Sequence, residues 1–597
     1  MSDLPDITLV QMLRRRATET PDRIALYQKD FGIWNPITWR DYWERSRAFG
    51  LGLEHLGLSQ DGHLAILSEN RAEWVLAQFA AGAVGAVAVG VYPTSPAPEV
   101  SYVLAHSDTE IVVCEDQEQT DKVLESKADL PNLKKIVVVD MKGLRAYDDP
   151  MIISFADVEA LGRTRDTAEL DKRVDAQDLS TVALMIYTSG STGKPKGAMI
   201  SWRNLRAQAV AVMERLGEGP HSTHLSYLPL CHIAEQILTT IGPIYAGGKV
   251  SFGESIRTVQ EDLREVAPSC FLGVPRIWEK MHASIHIKMM EAGPLRRWLY
   301  ETAMAACSPF AAKPPQGRTA GERLKSTIWY WLVFRALQNF LGLRKTEIAL
   351  TGAAPVPRDI ILYFRTLGIP LVEVYGQTET TGVVTGQSVA TAVPGAVGSP
   401  VEGAECRIGD HGELLVRGPM VFTGYYKAED QTATTIRDGW LHTGDVVELS
   451  DDGQYRIVDR LKDIMITAGG KNISPTEIEN TMKGSPFIKE CIVIGERRKF
   501  VSALIQIDLE TVGKWAEENR IPYTNFRSLA ENPEVKALID AEVARANATL
   551  APVSNVRKFA LLTKELDHDD DEVTATMKIR RSNIAQKYSG EIEALYG

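Results

Sequence analysis

Only six cysteines occur in 597 residues: Cys114, Cys231, Cys270, Cys307, Cys406 and Cys491. They form no CxxC pair and have no histidine cluster beside them in the chain. That argues against a zinc framework or a disulfide scaffold and predicts buried, reduced thiols. The longest apolar run, "FAAGAVGAVAVGVYP" from Phe79, is too short for a bilayer span, which needs roughly 20 residues. Its small residues predict a tightly packed helix leading into a buried strand. Positive charge is not in excess: 66 Lys and Arg face 78 Asp and Glu, a net of −12, which argues against a general nucleic-acid binder. Local loops can still be positive enough for anionic ligands. The N-terminal "MSDLPDITLVQMLRRRATETPDRIAL" has no apolar core followed by a small-residue cleavage site. No signal peptide is expected, and the cytoplasm is the default compartment. Internal repeats and low-complexity tracts are absent from the sequence.

The chain exceeds what one hydrophobic core can organise, so two or more domains are expected. Short β-branched runs alternate with longer helical stretches: "GHLAILS" before "RAEWVLAQFAAGAVG", "TEIVVCE" before "QTDKVLESKAD", then "KKIVVVD". This rhythm predicts an α/β fold with a large N-terminal domain of stacked, buried β-sheets and helices. After about residue 395, "GELLVRGPMVFTGYY" and "GQYRIVDRLKDIMIT" alternate with period two around turn glycines. That predicts antiparallel structure, a small barrel or a twisted sheet. The remainder reads as a compact α+β unit: "EIENTMKGS" helical, "IKECIVIGE" and "VSALIQID" strands, then "TVGKWAEEN" and "EVKALIDAEVARANATL" helical. The expected division is 1–461 and 462–597.

Residues 281–343 are helical in pattern and rich in aromatics, including "STIWYWLVFRALQNFLG". Trp329, Tyr330, Trp331 and Phe334 cannot share one narrow helical stripe. Two readings stay open. One is a helix buried inside the large domain. The other is a peripheral surface that dips into a membrane interface, with Arg323, Lys325 and Arg335 near phosphates.

The stretch "YTSGSTGKPKG", from Tyr187 to Gly197, follows the apolar run "TVALMI". A Walker A loop is excluded, because Lys194 is followed by Pro195, the residue five before Gly193 is Thr188, and "GAMIS" reads as a strand. The strand–loop–strand still suits an anion. Gly190, Gly193 and Gly197 let backbone N–H groups approach it, Thr188, Ser189, Ser191 and Thr192 add compact donors, and Lys194 and Lys196 add charge.

Further motifs follow in order: "LTGAAPVP", "VEVYGQTETTG", "DGWLHTGDVVEL", "IVDRLKDIMITAGGKNISPTEIE" and "VTATMKIRR". Together with the glycine-rich loop they resemble the adenylate-forming superfamily over nearly the whole chain. The superfamily includes acyl-CoA synthetases, peptide-synthetase adenylation domains and beetle luciferases. "FLGVPRIWEKM" and the helices after it resemble long-chain and bubblegum-type fatty acyl-CoA synthetases. The resemblance implies ATP, Mg²⁺ and coenzyme A as cofactors or co-substrates and a hydrophobic carboxylic acid as substrate. By this match Gly352, Ala353 and Ala354 lie along the adenine and the acyl-adenylate, and Tyr375, with Gly376 and Gln377, meets the adenine. Thr378 contacts phosphate, and Glu379, with Thr188, holds Mg²⁺. Asp445 takes the ribose hydroxyls, and Arg460, close to Ile457, reaches ribose or phosphate. Lys462 is the hinge of a mobile C-terminal domain. Gly469, Gly470 and Lys471 admit the pantetheine arm, Lys578 is the catalytic lysine, and His232 of "LPLCHIAEQ" stands at the wall of the carboxylate pocket. Ala575 replaces the proline many relatives carry, and "DHDDDE" precedes the element.

The implied reaction is ATP-dependent adenylation of a medium- or long-chain fatty acid, then transfer to coenzyme A. The alternatives are adenylation for a carrier protein, or coenzyme A ligation of an aromatic or steroid-type acid. Monomer and homodimer are both open.

Overall fold

In the computed structural model, the residues described are 4–188, 194–255, 257–567, 570–573 and 579–597. Ser189, Gly190, Ser191, Thr192 and Gly193 of the predicted anion loop, and Lys578, lie outside them.

An eight-stranded sheet is the spine of the large domain. Its strands run in the order Gly424–Tyr425, Lys196–Ser201, Val182–Thr188, Val87–Val91, His63–Leu67, Thr109–Cys114, Lys135–Val138 and Ile152–Ser154. From Val182–Thr188 onward all neighbours are parallel. Parallel strands are covered on both faces, and Val87–Val91 is buried at all five positions. The predicted small-residue helix is Ala72–Val84. It ends at Gly85, whose φ of +84° stops the helix at a left-handed cap. Gly82 lets this helix approach closely, since a Cβ there would stand 2.9 Å from the Trp202 ring. Trp39, Tyr42, Phe49, Trp74 and Phe79 fill the core beside it.

A second sheet aligns Cys270–Gly273, Ile348–Thr351 and Leu371–Gln377 in parallel, then Gly382–Gly386 and Ser399–Pro400 antiparallel. A third consists of Thr223–Ser226, Lys249–Phe252, Ile24–Asp30 and Ile33–Thr38. The period-two region is an antiparallel sheet of Glu405–Ile408, Glu413–Arg417, Trp440–Leu449 and Ile436–Arg437, with Tyr455–Arg460 also on Trp440–Leu449. It is an open sheet among the described residues, which decides between the two forms expected there. The C-terminal unit packs the sheet Ile488–Ile494, Val501–Ile507, Val556–Leu561 against helices Pro475–Lys483, Leu509–Glu518 and Pro533–Asn547. It meets the large domain through Arg276–Glu490 at 2.9 Å and Lys514–Glu291 at 3.0 Å.

The cysteines are buried except Cys406, which is half-buried. The chain order hides one neighbourhood: folding brings Cys270 beside Glu218 and His224, with ligand-type atoms within 4.8 Å of one another and all three residues buried. No helix of the described residues is long and apolar enough to cross a membrane.

The aromatic segment departs from the buried-helix reading. Phe334, Leu337 and Leu341 do enter the core. Trp331 and Leu332, however, are 63% and 64% exposed. The helices Pro294–Cys307 and Ala320–Trp329 lie on the outside of the domain; the first buries Ala303 and Cys307, while the second buries no residue and leaves Trp329 half-buried.

Candidate active site

Ligands of open α/β sheets gather at the carboxyl ends of parallel strands, and two of the predicted groups, 352–354 and 375–377, lie at such ends here. The strands Ile348–Thr351 and Leu371–Gln377 are sheet neighbours. Gly352, Ala353 and Ala354 leave the first, while Tyr375, Gly376 and Gln377 end the second. A Cβ on Gly352 would lie 2.9 Å from the Val374 carbonyl oxygen. Ala353 has a φ of +66°, unusual for a side-chain-bearing residue and typical of strain held at functional turns. Gly376 is dictated by the crossing strand, because a Cβ would come within 1.7 Å of the Gly382 carbonyl oxygen.

Asp445 is the centre of the cluster and is only 4% exposed. Its Oδ2 accepts from the Tyr375 hydroxyl at 2.5 Å and from Gln377 Nε2 at 2.6 Å, and Oδ1 pairs with Arg460 Nε at 2.8 Å. Strand register explains the last contact, since Asp445 and Arg460 are direct partners across Trp440–Leu449 and Tyr455–Arg460. Ile457 packs below on the same strand, opposite Val447. Burial, with the Asp445 carboxylate next to it, pushes the Tyr375 phenol well above its ordinary value, so it stays a donor.

A second group forms around Tyr425. Its hydroxyl donates to Glu379 Oε1 at 2.6 Å, and the Lys196 ammonium sits 5.1 Å from its ring centroid. Burial and Glu379 hold the Tyr425 phenol protonated as well. Tyr425 pairs with Ala198 and Thr188 pairs with Lys196, so the sheet edge carries the ends of the anion loop to the acidic element. Lys194 stands over Tyr102, 4.9 Å from the ring centroid. Thr378 is buried in the short turn Thr378–Thr380 just before Thr381, whose φ is +55°.

His232 is half-buried and caps the helix Ile233–Gln236, its Nδ1 accepting from Ala234 N at 3.2 Å. Three residues on, Glu235 is 1% exposed and accepts from Thr239 Oγ1 at 2.7 Å and Leu228 N at 3.2 Å. Burial pushes its carboxyl up to about 7. Gly469, Gly470 and Lys471 lie on an exposed loop between the short strands Met465–Ile466 and Asn472–Ile473. Lys462 follows directly on the strand that carries Arg460.

Asp459 and Tyr425 were not foreseen. Asp459 is 3% exposed. It accepts from Ser474 Oγ at 2.6 Å, Thr476 N at 3.1 Å and Thr476 Oγ1 at 2.8 Å, so it caps the helix Pro475–Lys483 of the C-terminal unit. The only signal for Tyr425 was an aromatic following the turn glycine of "TGYY". Asp459 carried none, since its partners lie fifteen and seventeen residues on across a chain reversal.

This fold is that of enzymes that activate acids with a nucleotide. The AMP-binding enzyme family profile matches residues 13–426, and the profile of the AMP-binding enzyme C-terminal domain matches 462–597. The chain belongs to the AMP-binding enzyme family. It is 32% identical to the long-chain-fatty-acid–CoA ligase FadD15 of Mycobacterium bovis over 593 residues, covering 98% of this chain and 96% of the relative. It is 30% identical to the long-chain-fatty-acid–CoA ligase ACSBG2 of Xenopus laevis, covering 100% of this chain and 84% of that one. Among solved structures, the adenylation domain of a Mycobacterium chelonae carboxylate reductase shares the fold with a TM-score of 0.76 at 21% identity, covering 100% and 92% of the two chains. The anthranilate CoA ligase AuaEII, solved with anthranoyl-AMP, does so at 0.73 and 22%, covering 100% and 99%.

Proposed function

We propose that this protein is an ATP-dependent acyl-CoA synthetase for a medium- or long-chain fatty acid. The carboxylate attacks the α-phosphorus of ATP, forming acyl-adenylate and releasing pyrophosphate. The coenzyme A thiol then attacks the acyl carbon, and AMP leaves. The observation that carries the reading is the convergence on Asp445 of Tyr375, Gln377 and Arg460, three side chains from two separate motifs. These three donors leave one of the roughly four lone-pair sites of a buried carboxylate open, which suits a ribose hydroxyl.

The first step brings a carboxylate against a triphosphate, so repulsion is its main obstacle. Lys194, Lys196, the donors of the glycine-rich loop and Lys578 would offset that charge; one oriented donor contributes roughly 2.7–4 kcal/mol in comparable sites. Glu379 and Thr188 are oxygen donors suited to Mg²⁺, and the ion would supply further neutralisation of phosphate charge. Tyr425 would orient the Glu379 carboxylate through its 2.6 Å hydrogen bond. His232 would shape the acid pocket from its place at the start of the Ile233–Gln236 helix.

The second step needs another face of the C-terminal domain, residues 462–597. Gly469, Gly470 and Lys471 are exposed here, so a rotation about Lys462 would bring them to the acyl-adenylate as Lys578 withdraws. The reading includes a cytoplasmic location with peripheral membrane contact, where a hydrophobic acid is drawn from lipid. Its test is a panel of acids assayed for pyrophosphate and AMP release with and without coenzyme A. The expected result is thioester only with coenzyme A, best with aliphatic acids. Preference for an aromatic acid, or no thioester at all, would overturn it.

A further inference from the structure

The exposed apolar side chains of this protein are not spread evenly. Leu295, Trp298, Leu324, Ile328, Trp331 and Leu332 are 47–68% exposed and fall within one helical insertion. Elsewhere among the described residues the large exposed apolar side chains are scattered, apart from Phe31 and Ile33 at one hairpin tip, which is ordinary for a surface.

The spacing shows why these six form a face. Leu295 and Trp298 are one turn apart on Pro294–Cys307, whose inner side buries Ala303 and Cys307. Leu324 and Ile328 are one turn apart on Ala320–Trp329, and this helix packs against the first. The chain continues into a wide π-helical turn, Tyr330–Phe334, which keeps Phe334 in the core while leaving Trp331 and Leu332 outside. Helices that needed only to pack would not put two tryptophans, three leucines and an isoleucine on their outer faces.

The charge of the same segment runs against that of the chain. Residues 294–335 contain seven Lys and Arg against two Asp and Glu, in a protein of net charge −12. The one lysine–glutamate pair within it, Lys313–Glu322 at 2.7 Å, removes one charge of each sign. Among the described residues, Arg296, Arg297, Arg323, Lys325 and Arg335 make no ion pair. Arg335 lies over the Trp331 ring, 5.0 Å from its centroid. Arg297 and Arg323 donate only to backbone carbonyls. Tryptophan and leucine interleaved with arginine and lysine that lack acidic partners is the pattern of an interfacial helix on anionic lipid. A protein partner or a second copy of this acidic chain would have to supply acidic groups at each of these positions.

We infer that the outer face of the helices Pro294–Cys307 and Ala320–Trp329, with the turn Tyr330–Phe334, docks onto an anionic lipid bilayer. The side chains of Trp298, Leu324, Trp331 and Leu332 enter the headgroup–acyl boundary, and the five cations meet lipid phosphates. The inference deepens the proposed function, since a hydrophobic acid partitions into the same bilayer, but the binding itself does not depend on catalysis.

The test is co-sedimentation of the full chain with vesicles of phosphatidylcholine alone, and of phosphatidylcholine mixed with phosphatidylglycerol. The chain is expected to sediment with the anionic vesicles and to be released by high salt. Each basic residue near an anionic surface raises partitioning roughly fivefold. The triple variant Arg296→Gln, Arg323→Gln, Lys325→Gln should therefore bind about a hundredfold more weakly. Trp298→Ser with Trp331→Ser should also release the protein while leaving its thermal melting and its activity on a water-soluble acid unchanged. The proposal is overturned if the wild-type chain ignores anionic vesicles, or if both variants bind as the wild type does. It is also overturned if the wild type is a dimer without lipid that the tryptophan variant dissociates. Activity on a soluble acid in the same preparations separates a failure of this surface from a failure of the proposed reaction.

Discussion

Replacing Asp459 should divide the two half-reactions. This carboxylate ends a strand of the large domain but accepts from Ser474 and Thr476, at the start of the first C-terminal helix. The three residues between Asp459 and Asp463 include Lys462, the proposed hinge. In this arrangement the 468–471 loop faces outward; under the proposed rotation about Lys462, the cap belongs to a state other than the one that accepts coenzyme A. Hydrogen bonds to a charged group contribute about 1.5–3 kcal/mol each, and these do not add in full. A loss of about 3 kcal/mol to this state is a reasonable total, and at 1.4 kcal/mol per tenfold it shifts the balance about a hundredfold. Asp459→Ala should lower pyrophosphate exchange by one to two orders of magnitude. Thioester formation from supplied acyl-adenylate should be retained or faster. Asp459→Asn, which keeps one acceptor oxygen, should fall between. Measuring both half-reactions on the same preparation decides the matter. Equal loss of the two, or no change in either, would refute the reasoning.

Lys578→Ala should abolish pyrophosphate release and leave transfer to coenzyme A from supplied acyl-adenylate largely intact; parallel loss in the two assays would mean a different residue carries the first step. Gly376→Ala would drive a methyl group into the Gly382 carbonyl, whose oxygen lies 1.7 Å from the Cβ position. It should cost at least about 1–3 kcal/mol and weaken ATP binding, read by thermal melts with and without nucleotide. Glu235 is buried with its carboxyl pushed up from 4.5 to about 7. The folded state therefore holds this proton more tightly than the unfolded chain, and stability contributed by the neutral acid is lost as pH rises from about 4.5 through about 7. Glu373, pushed up to about 8 by burial, acts in the same direction. Glu235→Gln should thus be more stable than wild type at about pH 8, by up to about 3 kcal/mol, and close to it at about pH 5. Melts that differ equally at both values would remove the titration from the explanation.

What could be read in advance was whatever local chemistry demands. A strand must end where a ligand approaches, so the glycines and small residues of "LTGAAP" and "VYGQTE" mark carboxyl ends of strands, and the structure puts them on two neighbouring strands. Period-two alternation identified the antiparallel region, but whether such a sheet closes depends on a pairing between distant strands that no local pattern encodes. The same non-locality hid Tyr425 and Asp459, whose partners come from other elements, and the meeting of Cys270 with His224 and Glu218. The aromatic helices were harder for another reason. Transfer free energy makes Trp and Leu candidates for the core wherever they occur, and a helix pattern cannot say whether a second element covers its outer face. Here the described chain covers Trp331 only in part, with Arg335 over its ring, and leaves it 63% exposed. Its charge environment, legible in the sequence as seven basic residues against two acidic, was the better guide to its surroundings than its hydrophobicity. Unpaired cations lose far more free energy than an indole gains when both are buried, so a tryptophan set among arginines belongs at an interface with water.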